Sequence, residues 1–471
     1  MTHRSNAVLC KAFFLRSSFS LHSSCIHGYK NNIEHVRTSS SLSSSSTSRA
    51  TNENNGKNRE NNEHEMREDS NLDIKCRPDT YEIELEEKIE KALSSMNEKA
   101  KISLMRRDVE IFGSRQQAGG FRMRAVFGIH HDGPIESRYC MTEVLSTKVL
   151  ESGKVFKEKR IVFVDEFPMG SEAMKELMPT VRELIERDDE NMRKRLFQCE
   201  FLTATTGDVV LTMCYHRKLD EKWEIAAKKM RDEINERHKD LNVSIVGRAN
   251  KIRKVVGDAF VNEIVKIDDD GDVKVLKYKQ LEGQFAQPNA EIATEMIKFA
   301  QSCSRNDSFD TLKTDFLELY CGNGHFSVAL APMFRTCLST EISKTNIAAA
   351  RENIDQNNIE NTFIVRLSAE EVVQAIDGTR EFTRLKACDL DFSKLDIKTV
   401  LVDPPRAGCG KDVSKMLQRF DRIIYISCNA ETLANDLKIL CETHEITRFA
   451  IFDQFPYTPH LECGALLVRS S

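Results

Sequence analysis

From Ala290 onward the chain alternates short apolar runs with helix-like segments, and this alternation restricts the fold more than any other feature. A helix reads over Ala290 to Cys303. The apolar runs that follow are DFLELY, RTCLSTE, NTFIVR, KTVLVD and RIIYIS, with a final strand pair ending in GALLVR. Strands alternating with helices predict a parallel sheet with helices on both faces, because each parallel connection must cross over the sheet. Ligands of such sheets bind beyond the C-terminal ends of the strands. The residues that stop each strand are therefore the ones that carry chemical information.

The first strand ends in ELYCGNGHFS, where Gly322 and Gly324 permit a tight turn and close approach of a ligand to the next helix's free N–H groups. Ser327 stands where a dinucleotide fingerprint has its third glycine, which points to a smaller nucleoside ligand. The second strand ends in Glu341, seventeen residues after Gly324, where a carboxylate can accept hydrogen bonds from both ribose hydroxyls. The pair suggests an adenosine-containing ligand, S-adenosylmethionine fitting best. The fourth strand ends in LVDPPRAG: Asp403, a Pro-Pro exit that stiffens the backbone beside the cofactor, and Arg406, suited to a phosphate or a base carbonyl.

The fifth strand ends at Cys428 in YISCNAETL, with Asn429 as a good helix N-cap. A thiol beside a helix N-terminus is expected to have its pKa lowered from about 8.5 toward neutrality, which would make it a nucleophile. Glu462, in FPYTPHLECGALL, follows a proline/histidine turn and is a candidate proton acceptor. Uracil requires such a set. Its C5 becomes nucleophilic only after a thiolate has added at C6, and a base must then remove the C5 proton so that the thiol is eliminated.

Before residue 290 the order is mixed. An amphipathic helix begins at Tyr81, and strand-like FRMRAVFGI and VFKEKRIVFV follow. A hairpin turns at Thr206-Gly207-Asp208, and a charged helix, EKWEIAAKKMRDEINERH, precedes the strand NVSIVGRA. The expected organisation is a transit-like leader and disordered linker over 1–78, an α+β RNA-recognition domain over 79–289 and a Rossmann-like α/β methyltransferase domain over 290–471. The leader reading rests on the absence of acidic residues from Met1 to Ile33, with recurrent Ser and basic residues, followed by SSSLSSSS and an Asn/Glu-rich run. It predicts delivery to an organelle, mitochondrion or plastid. The fourteen cysteines contain no C-x-x-C pair, so neither a structural metal site nor a disulfide framework is expected. No run reaches the roughly 18 apolar residues of a membrane span. The net charge of -5 does not mark a nucleic-acid binder, although a binding face can be locally basic.

These residues resemble the bacterial-type tRNA (uracil-5-)-methyltransferases, which make ribothymidine at position 54 of the T loop. The likeness runs from Tyr81 to Arg469 through FRMRAVF, LFQCEFLT, YHRKLDEKW, QFAQPNA, FLELYCGNG, LVDPPRAG, YISCNAETL and FDQFPYTPHLECG. It implies Cys428 as nucleophile and Glu462 as base. It also implies S-adenosylmethionine contacts from Gln287, Tyr320, His325, Glu341 and Asp403, and RNA contacts from Arg122, Arg124, Phe197, His216 and Arg406. Arginine for phosphate and an aromatic ring for a splayed loop base agree with that, and NKIRK (250–254) adds candidate backbone contacts. The partner it implies is the tRNA T arm, bound by a monomer that needs no metal. His325 departs from the family's asparagine after the GNG turn, and Ala430 from its proline after Asn429. The alternatives are the same chemistry on rRNA or another structured RNA, and a mainly non-catalytic tRNA-folding protein.

Overall fold

A computed structural model describes residues 76–149, 155–269, 271–305, 309–388 and 390–470. The expected leader and most of the linker lie outside the described residues. Two sheets carry the molecule. The larger has the order β1-β16-β17-β15-β14-β11-β12-β13. Its members are β1 (Val109–Phe112), β11 (Asp315–Leu319), β12 (Thr336–Glu341), β13 (Thr362–Arg366), β14 (Ile397–Val402), β15 (Arg422–Ser427), β16 (His444–Phe452) and β17 (Glu462–Arg469).

Strands β11 to β15 are mutually parallel, as the alternation predicts. The chain order reverses between β11 and β14, which pair directly, and this reversal opens the crevice in which such sheets hold ligands. β17 enters antiparallel between β15 and β16. Its first residue therefore lies at the same edge as the last residues of the parallel strands.

Three segments were not legible as part of this architecture. Helix α1 (Pro78–Ala100) buries Tyr81, Leu85, Ile89, Leu93 and Met96, a stripe at three- and four-residue spacing. It lies against α10 (Ala430–Leu440), with Lys99 3.4 Å from Glu431. β1 then adds to the sheet edge in parallel with β16. The first described residues thus join the sheet of the C-terminal half, although they precede the change of pattern at residue 290. The third segment is a ribbon of β9 (Phe260–Asp269) and β10 (Asp272–Leu281). Its alternation is visible in hindsight, since Val261, Val265 and Ile267 are buried on one face.

The second sheet has the order β4-β3-β2-β5-β6-β7-β8. It comprises β2 (Arg124–Asp132), β3 (Glu136–Val149), β4 (Val155–Phe163), β5 (Leu196–Thr203), β6 (Asp208–Tyr215), β7 (Asn242–Ala249) and β8 (Ile252–Val256). The β5–β6 hairpin turns where the sequence predicts. Helices α2 (Glu172–Arg187) and α3 (Glu221–Arg237) bury apolar faces that include Leu177, Val181, Trp223 and Ile234. Every described cysteine is a free thiol. Among the described residues no helix is long and apolar enough to cross a membrane, and no group of three or more His, Cys, Asp or Glu side chains converges as metal ligands would.

Candidate active site at the sheet edge

Strand register brings the two proposed catalytic groups together. Ser427 pairs with Cys463 in the antiparallel β15–β17 ladder. Cys428 follows Ser427 and Glu462 precedes Cys463, so the two groups meet where this ladder ends, close enough for Glu462 to act on the thiol. The Cys428 turn is fastened from two sides. The Asn429 side chain accepts from the Glu431 amide at 3.0 Å and caps α10. The Asn429 side-chain Nδ2 and the Thr432 hydroxyl both donate to the Arg406 carbonyl at 3.1 Å. The loop after Asp403 is thereby joined to the cysteine turn. Gly408 in that loop has φ +79, and a Cβ there would lie 2.7 Å from the buried Asp436 carboxylate. Asp436 in turn accepts from the Cys409 amide and the Tyr425 hydroxyl.

The thiol is not activated in the way the helix terminus suggested. Burial, then the carboxyl groups of Glu462 and Asp403, push the Cys428 pKa up to about 12. Arg406 opposes this and is outweighed. The dipole of one helix end is a small effect beside desolvation and two acidic neighbours. Glu462 is 6% exposed and is raised well above the ordinary carboxylate range, by burial first and Asp403 second, with Arg406 again opposing. Asp403 is raised to about 7 by burial and by Glu318. Burial and mutual repulsion thus bias all three groups toward their neutral, protonated forms.

On the other side of the crevice, Gly322 has φ +57 and nothing within 4 Å of where its Cβ would be, which leaves its backbone open to a ligand. Tyr320, at the end of β11, is also held at φ 61, a conformation that costs a non-glycine residue energy and tends to mark a functional position. Glu341 accepts from the Gly322 amide at 3.1 Å and from the Ile342 and Ser343 amides at 2.8 Å. A carboxylate offers about four acceptor sites, so roughly one remains for a ribose hydroxyl rather than the two expected. His325 begins α5 (His325–Leu330), and its buried Nε2 has no hydrogen-bond partner. Burial lowers its pKa to about 4, so the ring is neutral. Gln287 accepts from Gln454 at 3.0 Å, just after β16. An open glycine turn, an oriented carboxylate and an unsatisfied imidazole nitrogen fit the expected adenosine-type ligand.

Sequence reasoning passed over several groups here. Glu318, 1% exposed on β11, accepts from the Ser327 and Ser339 hydroxyls and is raised to about 7 by burial. An acid inside the apolar run DFLELY was the available signal. Asp453, Lys88 and Tyr81 form a buried cluster beside the loop that leads to Glu462.

The RNA candidates divide. Phe197 and His216 stack at 4.0 Å between ring centroids with planes 12° apart, and His216 is exposed. They form an aromatic platform on the second sheet, not part of its core. Arg124 is engaged within the protein: its guanidinium bonds Glu200 at 2.7 Å and the Gln284 carbonyl at 2.6 Å. Arg122 is 8% exposed, over the Phe455 ring, and burial followed by Arg124 lowers its pKa to about 9. In NKIRK, Arg253 pairs with Glu282 and Lys254 with Glu224. Arg406 belongs to the Cys428 pocket, where it acts on both Cys428 and Glu462.

Known proteins resemble the chain as follows. A family described as tRNA (Uracil-5-)-methyltransferase matches residues 80–470. A tRNA/tmRNA (uracil-C(5))-methyltransferase of Aliivibrio fischeri (strain MJ11) is 41% identical over 392 residues, 83% of this chain and 98% of the relative. The corresponding protein of Acinetobacter baylyi is 41% identical over 388 residues, 82% of this chain and 98% of its own length. Among solved structures, Pyrococcus abyssi tRNA (uracil-54, C5)-methyltransferase in complex with S-adenosyl-L-homocysteine has a TM-score of 0.58 at 22% identity, over 85% of this chain and 86% of that one. That last likeness is one of fold.

Proposed function

The chain belongs to the tRNA (uracil-5-)-methyltransferase family, and on that premise we propose that it methylates C5 of the uridine at position 54 of the tRNA T loop through a covalent bond between Cys428 and C6. The observation that carries this reading is the β15–β17 ladder, whose end brings Cys428 beside Glu462 at the crevice. S-adenosylmethionine supplies the methyl group and, as a sulfonium, brings positive charge to a pocket otherwise dominated by acids. Gln287, Tyr320, His325, Glu341 and Asp403 are the residues that would hold it.

Cys428 gives up its proton to solvent water and its sulfur bonds to C6, so that the electron pair of the C5–C6 double bond moves toward C5 and O4. Once C5 carries the methyl group, Glu462 accepts the C5 proton. The pair from that C–H bond restores C5=C6 and expels the sulfur from C6. A raised carboxyl pKa suits this role, because it makes the carboxylate a stronger proton acceptor than an ordinary one. Arg406 limits the charge that accumulates when sulfur leaves. The target base must be out of its stack to reach Cys428. The Phe197–His216 platform is suited to stacking on an unpaired loop base, and Arg406 and Arg122 to polar contacts nearer the pocket. The transit-like composition of residues 1–33 supports organellar delivery, which a fluorescent fusion of the full chain would test by its location.

Incubating the purified protein with methyl-labelled donor and a tRNA transcript, then mapping the label, tests the reaction and its position. Label confined to C5 of uridine 54 is expected, with none in a transcript carrying cytidine there. Label elsewhere in tRNA, or only in tmRNA or rRNA transcripts supplied in parallel, would reassign the substrate.

A further inference from the structure

The loop Asp453–Leu461 connects β16 to Glu462, and its fastening converges on one side chain of α1. The Lys88 ammonium has three hydrogens and three acceptors within reach, all on this loop: Asp453 Oδ1 at 2.5 Å, the Phe455 carbonyl at 3.2 Å and the His460 carbonyl at 3.4 Å. They are the loop's first, third and last-but-one residues, His460 lying two residues before Glu462. The anchorage is deeply buried, with 10% of the Lys88 side chain and none of the Asp453 side chain exposed. Asp453 is held further by the Tyr81 hydroxyl at 2.9 Å, and its amide donates to Phe112 of β1 at 2.9 Å. The Tyr457 hydroxyl donates to the Gln117 carbonyl, and its ring meets Tyr81 edge-on.

A backbone that only had to connect two strands would need no buried cation bridging its two ends. We propose that Lys88 is a positioning residue for Glu462: by tying both ends of the 453–461 loop to α1, it fixes the carboxyl group where it can take the C5 proton. The inference rests on the reading of Glu462 as the base. The consequence is specific to one stage of the reaction. Attack by Cys428 and methyl transfer precede proton removal, so loosening the loop should spare them. The enzyme should instead stall as a methylated adduct in which sulfur is still bonded to C6.

The test compares wild type, Lys88→Arg, Lys88→Met and the double variant Lys88→Met/Asp453→Asn, the last removing both buried charges together. Each is mixed with uridine-containing tRNA and methyl-labelled donor, and label is followed in released RNA and in protein–RNA adduct on a denaturing gel. General-base contributions of about 10²–10⁴ set the scale, so release from the double variant should slow at least about tenfold. Adduct formation should stay within about threefold of wild type. Lys88→Arg, which keeps the charge but presents a planar fork, should show a smaller accumulation of labelled adduct. Circular dichroism melts identify any variant that fails to fold, and in that event Lys88→Arg decides. Formation and release falling by one common factor, or neither falling, would overturn the proposal. Failure of wild type to form an adduct with 5-fluorouridine tRNA would instead remove the underlying reading of Cys428 and Glu462.

Discussion

The two sheets of this protein differ in how their candidate functional residues are specified. In the eight-stranded sheet the informative residues are strand terminators: Tyr320, Glu341, Asp403, Cys428 and Glu462 stand where a strand stops or starts, and topology brings those points to one edge. In the seven-stranded sheet the candidates are mid-strand or flanking side chains, and each one's meaning depends on which neighbour it meets. Arg124 meets Glu200 and is engaged, whereas Phe197 meets His216 and becomes a platform. Backbone-determined positions can be read from a pattern. Partner-determined ones cannot, because the partner is distant in sequence.

The largest expected effect lies on the first sheet. Glu462→Gln should lower turnover by about 10²–10⁴, the range of general-base contributions, and leave a methylated adduct visible on a denaturing gel. The same variant sharpens the electrostatic account. With the Cys428 pKa at about 12, alkylation of the ligand-free enzyme should rise about tenfold per pH unit from pH 7 to 9 with no plateau. Removing the neighbouring carboxyl lowers that pKa, so alkylation of Glu462→Gln should be faster at every pH, although its turnover has collapsed. An early plateau in the wild-type profile would mean that the thiol is already activated.

Arg124→Ala sharpens the contrast from the second sheet. It strands Glu200, which is nearly buried, and breaking such a pair costs about 3–5 kcal/mol. A denaturant melt should show that loss, whereas the salt dependence of tRNA binding should be unchanged. A shallower salt slope with unaltered stability would make Arg124 a phosphate contact after all. Phe197→Ala is expected to do the reverse. Base stacking on an aromatic ring is worth about 1–3 kcal/mol, so KM for tRNA should rise by that equivalent while the melt moves little. The smallest effect is at Ala430, the first residue of α10 after the Asn429 cap. Ala430→Pro should raise stability by about 0.4–1 kcal/mol in the same melt, since proline suits that position and restricts the unfolded chain.

Much of the larger sheet was legible because parallel strands buried on both faces read as apolar runs, and their ends stand out as polar interruptions. The environment of Cys428 was less so. Its place at a strand end and helix start was readable, but the burial and the two carboxyl neighbours that reverse its expected pKa come from strands paired across the fold. The same holds for α1 and β1, whose docking against α10 and β16 joins residues more than three hundred positions apart. Lys88 looks like one more charge on an amphipathic helix until Asp453 is found against it.

The central claim is that Cys428 forms the covalent bond to the base. Fluorine at C5 blocks the elimination step, so tRNA containing 5-fluorouridine should trap wild type, in the presence of methyl donor, as an adduct that survives denaturing electrophoresis. The account predicts that adduct in wild type and none in Cys428→Ala. An equal adduct in both proteins, or none in wild type, would contradict it.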